Sequence, residues 1–370
     1  MKVGLFGGSF DPIHKGHISI IEGALKKMDY VVVIPTARNS FKRGRILNPA
    51  PYRYYMTCDA LEKLGKRVIV SDIEFTFEGI SYTYLTISKM LENDYLKNLI
   101  GTKEDIKLFW ICGSDILKFF DLWSKPETVL DMATLLVARR PGEDDTFEAD
   151  IERLEKMYNT KIKTFDIKGI EASSSSLRED MVVKKIQTSV SEFIKTNALY
   201  PERNYLDYCS DEAIDKFYEY CIKLYFLLKR KRLIHTINVA ILAVKYAVLH
   251  GVDPDKALIA GVLHDCAKEL PKEIQSKLSM QKGGVLFDID KLWHGPAGAL
   301  FAEENFGVED SEILDAIMYH TTARENMTDL DKIIYLADKL EPARTYADLD
   351  PIRKASEEDL NRGMILCMME

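Results

Sequence analysis

The distribution of apolar residues changes near the middle of this 370-residue chain, and that change limits the folds it can adopt. In the first half, short apolar runs alternate with segments of helical periodicity at residues 16–28 and 81–93. Alternation of this kind predicts a parallel sheet with helices on both faces. The predicted strands are Lys2–Phe6, Tyr30–Ile34, Arg67–Ser71, Lys107–Ile111 and Thr134–Ala138.

Beyond Asp211 the apolar residues follow the spacing of helices, and strand-like runs are few. Between the two patterns, Leu199–Asp211 carries Pro201, Asn204 and several charges, which indicates a linker. The sequence therefore predicts an α/β domain over residues 1–200 and an all-α domain over residues 211–370. The helices expected in the second domain are Arg232–His250, Asp255–Lys268, Gly295–Asn305 and Ser311–His320.

Composition narrows the class of protein. Hydrophobic residues make up 46% of the chain and charged residues 29%, which is typical of globular domains and excludes a disordered chain. The apolar runs, such as Tyr30–Pro35 and Val239–Val244, are far shorter than the ~20 residues that span a bilayer, so we expect no membrane partner. The six cysteines form no CxxC pair, which indicates free thiols, a reducing compartment and a cytoplasmic location.

Charge is distributed unevenly between the halves. Residues 1–200 contain 29 Lys and Arg against 28 Asp and Glu, whereas residues 201–370 contain 21 against 30. Neither half has the basic field of a protein that binds duplex nucleic acid, so we expect no nucleic-acid partner. An acidic half that handles a phosphate compound is expected to need a metal cation to offset the repulsion.

A glycine-rich turn is predicted after the first strand, formed by Gly7, Gly8 and Ser9 and followed by Phe10. Adjacent glycines let backbone N–H groups approach a polyanion, and the N-terminus of the next helix adds a favourable dipole. An ordinary dinucleotide-binding turn is the alternative. The glycines, however, do not fit the G-x-G-x-x-G pattern, and no Walker lysine follows them.

His14 and His17 stand three residues apart at the predicted start of that helix, where both rings can point the same way. Two imidazoles in this position can donate hydrogen bonds to the charge that develops as pyrophosphate leaves a triphosphate. The alternative is that they are helix caps or surface residues.

A serine run near the end of the first domain predicts a second anion site. Ser176 and Glu179 have the spacing of a capping box, so a helix should begin at Leu177. Its N-terminus and the Arg178 cation, with the hydroxyls of Ser174 and Ser175, would together bind an anion. A flexible serine linker is the alternative.

The string GGSFDPIHKGH at residues 7–17 resembles the signature of the nucleotidyltransferase superfamily, in its nicotinate-mononucleotide adenylyltransferase branch. The resemblance implies a Rossmann-like fold over about residues 1–200. Further stretches that match in the expected order are Ser81–Tyr84, Ile111–Asp115, Trp123, Ala138–Gly142 and Ser173–Arg178.

The resemblance implies transfer of AMP from ATP, with Mg²⁺, to nicotinate mononucleotide, giving deamido-NAD and pyrophosphate in NAD biosynthesis. Under this reading the phosphate-stabilising residues are His14, His17, Lys42 and Arg178. The ATP-binding residues would be Gly7, Gly8, Ser9, Phe10, Ser174, Ser175 and Arg178. The mononucleotide would be held near Thr83 and Trp123.

One segment departs from the family pattern. Where relatives usually carry Pro-Pro-His-Lys, this chain has Asn39-Ser40-Phe41-Lys42, so only the lysine matches. The choice between nicotinate and nicotinamide substrates therefore stays open. A pantetheine-phosphate or cytidylyl transferase is the alternative for this domain, and the serine run argues against it.

The second half contains histidines and aspartates within or beside apolar segments, where a lone buried polar group would be costly. Imidazoles and carboxylates gathered from several helices can hold one or two divalent metals. An Asp next to a His can bridge two such ions. His250 precedes Gly251 at a predicted helix end and is interpreted as a capping residue. The candidate set is His235, His264, Asp265, His294, His320 and Asp338.

The order of these residues resembles that in the HD-domain phosphohydrolases. The short sequence segments around them resemble those of the bacterial symmetrical diadenosine tetraphosphate hydrolases, which are usually described with iron. The resemblance implies that all six are metal ligands, with Asp265 and Lys268 also catalytic. The resemblance also implies that Lys268 contacts a phosphate or a water molecule and that Arg324 binds substrate phosphates. Manganese, cobalt, nickel and zinc also suit these ligands.

Two alternatives remain for the second domain. It could hydrolyse another nucleotide, or it could be a metal-bound nucleotide sensor that regulates the adenylyltransferase without turnover. The expected small-molecule partners are ATP, nicotinate mononucleotide and diadenosine tetraphosphate. A homo-oligomer is also left open by the sequence.

Overall fold

A computed structural model of the protein describes residues 1–38, 47–140, 145–167, 185–283, 289–345 and 348–369. The chain divides into two compact units, Met1–Phe193 and Ile194–Glu370. This boundary precedes the predicted linker. Leu199 and Leu206 are buried, and the segment that follows Asn204 packs against a long helix of the second unit.

The first unit is built on a parallel sheet of six strands in the order β3-β2-β1-β4-β5-β6. The five predicted strands and the α/β class are confirmed. The sixth strand escapes prediction because only Phe165 in it is buried. The strands are β1 Lys2–Gly8, β2 Tyr30–Pro35, β3 Val68–Val70, β4 Lys107–Gly113, β5 Thr134–Arg139 and β6 Lys163–Asp166.

Helices cover this sheet, and its central strands are buried because their side chains pack on both faces. Val31, Val32 and Val33 of β2 are all fully buried, as a parallel sheet between helices requires. The helices are α1 Lys15–Ala24, α2 Ala50–Leu61, α3 Thr83–Leu91, α4 Tyr95–Ile100, α5 Pro126–Met132 and α6 Asp145–Tyr158. A further helix, α7 Thr188–Thr196, contains the boundary between the two units.

The second unit is helical in the residues described, as predicted. The helices are α8 Asp211–Tyr225, α9 Arg230–His250, α10 Pro254–Leu263, α11 Lys272–Gly283, α12 His294–Phe306, α13 Ser311–Tyr319, α14 Asp329–Leu340, α15 Asp350–Glu358 and α16 Leu360–Met369.

Helix α9 lies at the centre of this unit. It is long and apolar enough to cross a membrane by length and composition alone, but 61% of that apolar stretch is buried inside the structure. It packs against α10 and α14, and Ala240, Ala243 and Ala247 on it are fully buried. These contacts are those of a core helix in a helical unit.

Helix α10 ends at Leu263, so the prediction of a helix continuing to Lys268 was wrong. Beyond Leu263 the backbone tightens into successive turns. The Cys266 N–H donates to the Leu263 carbonyl at 3.0 Å, and the Lys268 N–H donates to the Asp265 carbonyl at 3.0 Å. Bonds that reach back only three residues do not continue an α-helix.

Candidate active sites

The first unit places His14 and His17 at the start of α1, with their rings stacked at 3.7 Å between centroids. His14 is the N-cap residue, and its Nδ1 accepts a hydrogen bond from the His17 N–H at 3.4 Å. The Nδ1 of His17 accepts from the His14 N–H at 3.3 Å in return. The pair forms a reciprocal capping box built from imidazoles, which holds the two rings side by side.

These hydrogen bonds determine which ring nitrogen can donate. Because each Nδ1 accepts an amide proton, the proton of a neutral ring must be on Nε2. Burial, and to a lesser extent the charge of Arg140, lowers the pKa of His14 to about 4. His14 is therefore neutral near pH 7 and presents an Nε2–H donor, and a neutral His17 does the same.

A cavity of about 260 Å³ opens beside His17 at the carboxyl ends of β1 and β4. Ligands of open parallel sheets bind at these strand ends. The lining includes residues that the sequence assigned to ATP and to the mononucleotide, namely Gly7, Gly8, Ser9, Phe10, His17, Thr83 and Trp123. The structure thus brings the two predicted substrate sites to one cavity.

Some sequence expectations for this site differ from the structure or fall outside it. Gly7 and Gly8 are the last residues of β1, paired with β2, so the predicted turn begins only after them. The remaining candidates, which lie outside the described residues, are Lys42, Ser174, Ser175 and Arg178, together with the helix predicted to start at Leu177.

Glu74 is a cavity residue that sequence reasoning missed. Its side chain is buried, and its carboxylate accepts hydrogen bonds from the Ala37 N–H at 2.9 Å and the Thr86 hydroxyl at 2.7 Å. Burial outweighs these bonds and raises the pKa of Glu74. The carboxylate ties the loop after β2 to the segment that begins α3. A charged residue between Ile73 and Phe75 was the available signal.

In the second unit, two close helix contacts bring the candidate metal ligands together. A Cβ at Gly261 of α10 would lie 2.6 Å from the Cα of Ala240 on α9, so only glycine allows this approach. A Cβ at Gly295 would lie 2.5 Å from the Met318 carbonyl oxygen of α13. The first contact brings the end of α10 close to His235, and the second brings His294 close to His320.

Asp265 lies at the centre of the cluster, and its two carboxylate oxygens face different histidines. Its Oδ2 lies 3.8 Å from the Nε2 of His235 and 3.5 Å from the Nε2 of His264. Its Oδ1 lies 3.3 Å from the Nε2 of His294 and 3.6 Å from the Nε2 of His320. This is the arrangement of a carboxylate that can bridge two ions.

Asp338 completes the first half of the cluster. Its Oδ1 lies 3.0 Å from the Nε2 of His235 and 3.9 Å from the Nε2 of His264. The structure therefore brings all six predicted residues together, each buried. Two overlapping groups have ligand atoms within 4.8 Å of one another: His235 with His264 and Asp338, and His264 with Asp265 and His320.

The outer ring nitrogens show which atoms are available to bind. The Nδ1 of His264 contacts the Gly261 carbonyl at 2.7 Å, and the Nδ1 of His320 contacts the Ile317 carbonyl at 2.6 Å. A carbonyl can only accept, so each Nδ1 carries the proton and each Nε2 presents a lone pair to the cluster. Partners of this kind orient histidine ligands in metal sites.

Two of the inner atoms lack a hydrogen-bond partner among the described residues. They are the Nε2 of His264 and the Oδ1 of Asp265, both buried, whereas the Nε2 of His235 lies 3.0 Å from Asp338 Oδ1. Buried atoms of this kind are costly unless a ligand satisfies them. Lone pairs and carboxylate oxygens that converge on one space fit a divalent cation of the transition series.

The protonation of these groups agrees with that fit. Burial, and next the neighbouring His320, lowers the pKa of His294 to about 3, and burial also lowers the pKa of His264. Burial alone would raise the pKa of Asp265, but interaction with His264 and His320 outweighs it and holds that pKa well below its usual range. Neutral imidazoles and ionised carboxylates are the forms that bind metals.

Sequence reasoning missed a carboxylate behind the cluster. The buried Glu341 contacts the Nδ1 of His235 at 3.2 Å and accepts from the Nδ2 of Asn238 at 2.9 Å and the Ala343 N–H at 2.7 Å. The Nδ1 of His235, which points away from the cluster, therefore has a carboxylate as its partner. Burial opposes protonation of His235, but hydrogen bonds to Asp338 and Glu341 outweigh it and raise its pKa.

Two arginines also contact the cluster and were not predicted. Arg232 precedes His235 by nearly one helical turn, and its Nη1 lies 2.6 Å from Asp265 Oδ2. Arg344 Nη2 donates to Asp338 Oδ1 at 3.1 Å. The spacing of Arg232 from His235 on one helix was a usable signal, whereas Arg344 lies in a turn after α14 and gave none.

The remaining candidates of this unit divide into two kinds. Lys268 Nζ lies 3.0 Å from the Nε2 of His294, so the structure places it at the cluster. Arg324 instead pairs with Asp315 and Asp331, each at 2.8 Å. His250 ends α9, and its Nε2 lies 2.7 Å from the Ser356 carbonyl, away from the metal-ligand candidates.

Comparison with known proteins agrees with this division into two sites. Residues 5–180 match the cytidylyltransferase-like family, and residues 232–343 match the HD domain. The chain is 42% identical over 141 residues to the symmetrical bis(5′-nucleosyl)-tetraphosphatase of Bacillus subtilis, covering 37% of this chain and 76% of that protein.

Two further relatives cover the first unit and the whole chain. A probable nicotinate-nucleotide adenylyltransferase of Clostridium novyi is 35% identical over 180 residues, covering 48% of this chain and 85% of that protein. A Mycoplasma genitalium protein, named as a probable nicotinate-nucleotide adenylyltransferase/Ap4A hydrolase, is 26% identical and covers 99% of this chain and 97% of its own. Ap4A is diadenosine tetraphosphate.

Proposed function

We propose that this chain, which belongs by its first unit to the nicotinate-nucleotide adenylyltransferases and by its second to the symmetrical bis(5′-nucleosyl)-tetraphosphatases, carries out both reactions. It is a bifunctional enzyme. The first unit transfers AMP from ATP to nicotinate mononucleotide, and the second splits Ap4A into two ADP. The main support for the hydrolase function is the convergence of four imidazoles and two carboxylates. The two carboxylate oxygens of Asp265 face different histidines of this cluster.

In the first reaction, a phosphate oxygen of the mononucleotide attacks the α-phosphorus of ATP, and the bond to the β-phosphate breaks. The attacking group is already an anion, so no general base is needed. His14 and His17 are suited to donate from Nε2 to the oxygens that gain charge. Thr83 and Trp123 line the same cavity and are proposed to hold the mononucleotide. Mg²⁺ bound to ATP would offset the charge of the triphosphate.

In the second reaction, water adds to one of the two central phosphorus atoms, and the bond from that phosphorus to the oxygen that bridges the two central phosphates breaks. That oxygen leaves on the other half, so each adenosine keeps two phosphates. The HD domain implies divalent-metal binding. We propose that His235, His264, Asp265, His294, His320 and Asp338 hold one or two ions, with iron first and manganese, cobalt, nickel or zinc as alternatives. Bound ions would supply Lewis-acid polarisation of the phosphate and activate water.

This chain's own residues would prepare the substrate. Lys268 reaches the inner nitrogen of His294, where its ammonium group can bind a phosphate oxygen. Burial is the main cause that lowers the pKa of Lys268. An anionic partner would therefore interact more strongly with its charged form there than in water. Asp265 and Asp338, whose carboxylates are held by contacts with the neighbouring histidines, would hold the ions. We further propose that the protein is cytoplasmic and that its partners are small nucleotides and not nucleic acids.

The adenylyl transfer is tested by offering the chain ATP, Mg²⁺ and one of three acceptors: nicotinate mononucleotide, nicotinamide mononucleotide or phosphopantetheine. Chromatography of the products is expected to show deamido-NAD and pyrophosphate with the first. Equal use of the nicotinamide compound would mean that the departure at Asn39–Lys42 relaxes selectivity. Adenylylation of phosphopantetheine alone would overturn the assignment.

We expect Glu341→Gln to weaken metal binding by roughly 10–100-fold, because the carboxylate that orients His235 becomes a neutral amide. The measurement is the Mn²⁺ affinity of the full chain, determined by titration after chelation. Glu358→Gln serves as the control, since Glu358 is exposed and pairs with Arg362. Equal affinities for all three proteins would contradict a role for Glu341 at His235.

The stability of the first unit should depend on His14 at mildly acidic pH. Its pKa is about 4 when folded and 6.5 when unfolded, so between these values the unfolded chain binds more protons. The free energy of unfolding should therefore decrease by roughly 1.4 kcal/mol for each unit by which the pH is lowered in this range. His14→Asn keeps a capping side chain but cannot titrate.

Urea unfolding of the wild type and His14→Asn at pH 7 and pH 4.5 checks this expectation. The wild type should lose more unfolding free energy than the variant on acidification. Parallel losses would show that His14 does not titrate on unfolding.

A further inference from the structure

One buried arginine of the first unit is bonded to the backbone of three separate loop segments. Arg53 lies in the first turn of α2, and 2% of its surface is exposed. Its Nη1 donates to the Ser9 carbonyl at 2.7 Å. Its Nε donates to the Asn48 carbonyl at 2.8 Å, and its Nη2 donates to the Ala37 carbonyl at 3.3 Å. One planar guanidinium therefore holds all three segments at fixed relative positions.

The stability of α2 does not explain this arginine. The helix dipole opposes a positive charge in the first turn, and burial of a charged group is costly unless hydrogen bonds compensate it. Arg53 is also absent from the described residues that line the cavity beside His17. Any effect of Arg53 on that cavity must therefore pass through the loop that it binds, between β1 and α1.

Phe10 connects this loop to His17. It follows Ser9 and has a φ of 47°, in the left-handed region that a bulky residue rarely adopts. A conformation of this kind persists only where the surrounding structure holds it. The Ser9 carbonyl, which accepts from Arg53, belongs to the peptide group immediately before Phe10. The hydrogen bond from Arg53 therefore restrains the backbone at Phe10.

The ring of Phe10 in turn supports the ring of His17. Phe10 is buried, and its ring centroid lies 5.0 Å from that of His17 at an interplanar angle of 80°, which is an edge-to-face contact. The two capping hydrogen bonds between His14 and His17 are 3.3 and 3.4 Å long, beyond the usual range, so they hold the ring only weakly. The contact with Phe10 therefore helps to set the orientation of His17.

We propose that Arg53 is a positioning residue for adenylyl transfer. Through the Ser9 carbonyl and Phe10, it holds the imidazole of His17 where charge develops. The proposal rests on the adenylyltransferase function above. Loss of the guanidinium would free the peptide before Phe10 and change the orientation of His17. Displacement of a charge-stabilising group by about 1 Å can lower a rate by about 100-fold.

The test compares Arg53→Met with Arg67→Met in the full chain. Arg67 is a matched control, because it also donates to backbone carbonyls, those of Leu25 and Asp29, each at 2.8 Å. Asp29 directly precedes β2, so these bonds lie at the end of the sheet opposite the cavity. Arg53→Lys, which keeps the charge but offers one nitrogen in place of three, replaces Arg53→Met if that variant does not fold.

A spectroscopic measurement detects the position of His17 without turnover. In a chain that contains isotope-labelled histidine, the nuclear magnetic resonance signal of the His17 ring is the one absent from His17→Gln. The ring current of Phe10 makes this signal sensitive to the contact between the two rings. We expect the signal to move in the Arg53 variant and to stay in place in Arg67→Met.

The kinetic measurement is the rate of deamido-NAD formation. We expect the Arg53 variant to lose about 10–100-fold in kcat, with a KM for nicotinate mononucleotide within about threefold of the wild type. Arg67→Met should keep the wild-type kcat. Because Arg53 acts through His17, the same Arg53 substitution should lower kcat by less than about threefold in a His17→Gln background.

A wild-type kcat in the Arg53 variant, an unmoved His17 signal, or equal losses of kcat in the two backgrounds would overturn the proposal. If the wild type forms no deamido-NAD but the signal moves in the Arg53 variant alone, Arg53 does position His17 and the adenylyltransferase function fails.

Discussion

Replacement of Asp265 by asparagine is expected to lower Ap4A hydrolysis by at least about 1,000-fold, which corresponds to roughly 4 kcal/mol of transition-state stabilisation. The reason is its position: its two oxygens face His235 and His264 on one side and His294 and His320 on the other. An amide offers one weaker oxygen donor in place of two charged ones. Both halves of the metal site are therefore expected to weaken together.

Two measurements accompany this variant. Metal content after gel filtration should fall along with activity, while adenylyl transfer by the first unit should not change. Asp329→Asn is the matched control, because Asp329 is an exposed residue of α14 that pairs with Lys332. Full metal content and activity in Asp265→Asn would rule out the bridging role.

The second large effect is expected for His17→Gln, which should lower kcat of adenylyl transfer by about 100–1,000-fold. This variant removes the imidazole of His17, a residue that lines the cavity. A glutamine at the third helical position can still bond back to the His14 N–H, as in ordinary capping boxes. The loss of rate should therefore occur with little change in stability.

Thermal unfolding and Ap4A hydrolysis of this variant should match the wild type. Lys26→Ala provides the control, since Lys26 is exposed just beyond α1. A rate loss that is accompanied by an equal loss in the control, or no rate loss at all, would mean that the ring of His17 does not stabilise the departing charge.

Much of the fold was accessible from sequence because its signals are local. The valines of Tyr30–Pro35 form a short β-branched run that is typical of a buried strand, and the spacing of apolar residues in Arg230–His250 is that of a core helix. The strand Lys163–Asp166 could not be found in this way, because one buried residue in four leaves no apolar run.

The residues of the candidate sites likewise differ in whether a local sequence signal identifies them. His235, His264 and His294 stand out because each interrupts an apolar segment, which is visible in one sequence. Glu341 does not, since a glutamate before a proline reads as an exposed turn. Its burial depends on the packing of α14 against α9, which no local pattern encodes.

The six clustered residues of the second unit are proposed to form the centre that splits Ap4A symmetrically. Incubation of the Mn²⁺- or Fe²⁺-loaded chain with Ap4A, followed by separation of the products by ion exchange, tests this proposal. We expect ADP as the sole product, and no product from Asp265→Asn. Formation of AMP and ATP, or no product from a chain that has bound its metal, would contradict it.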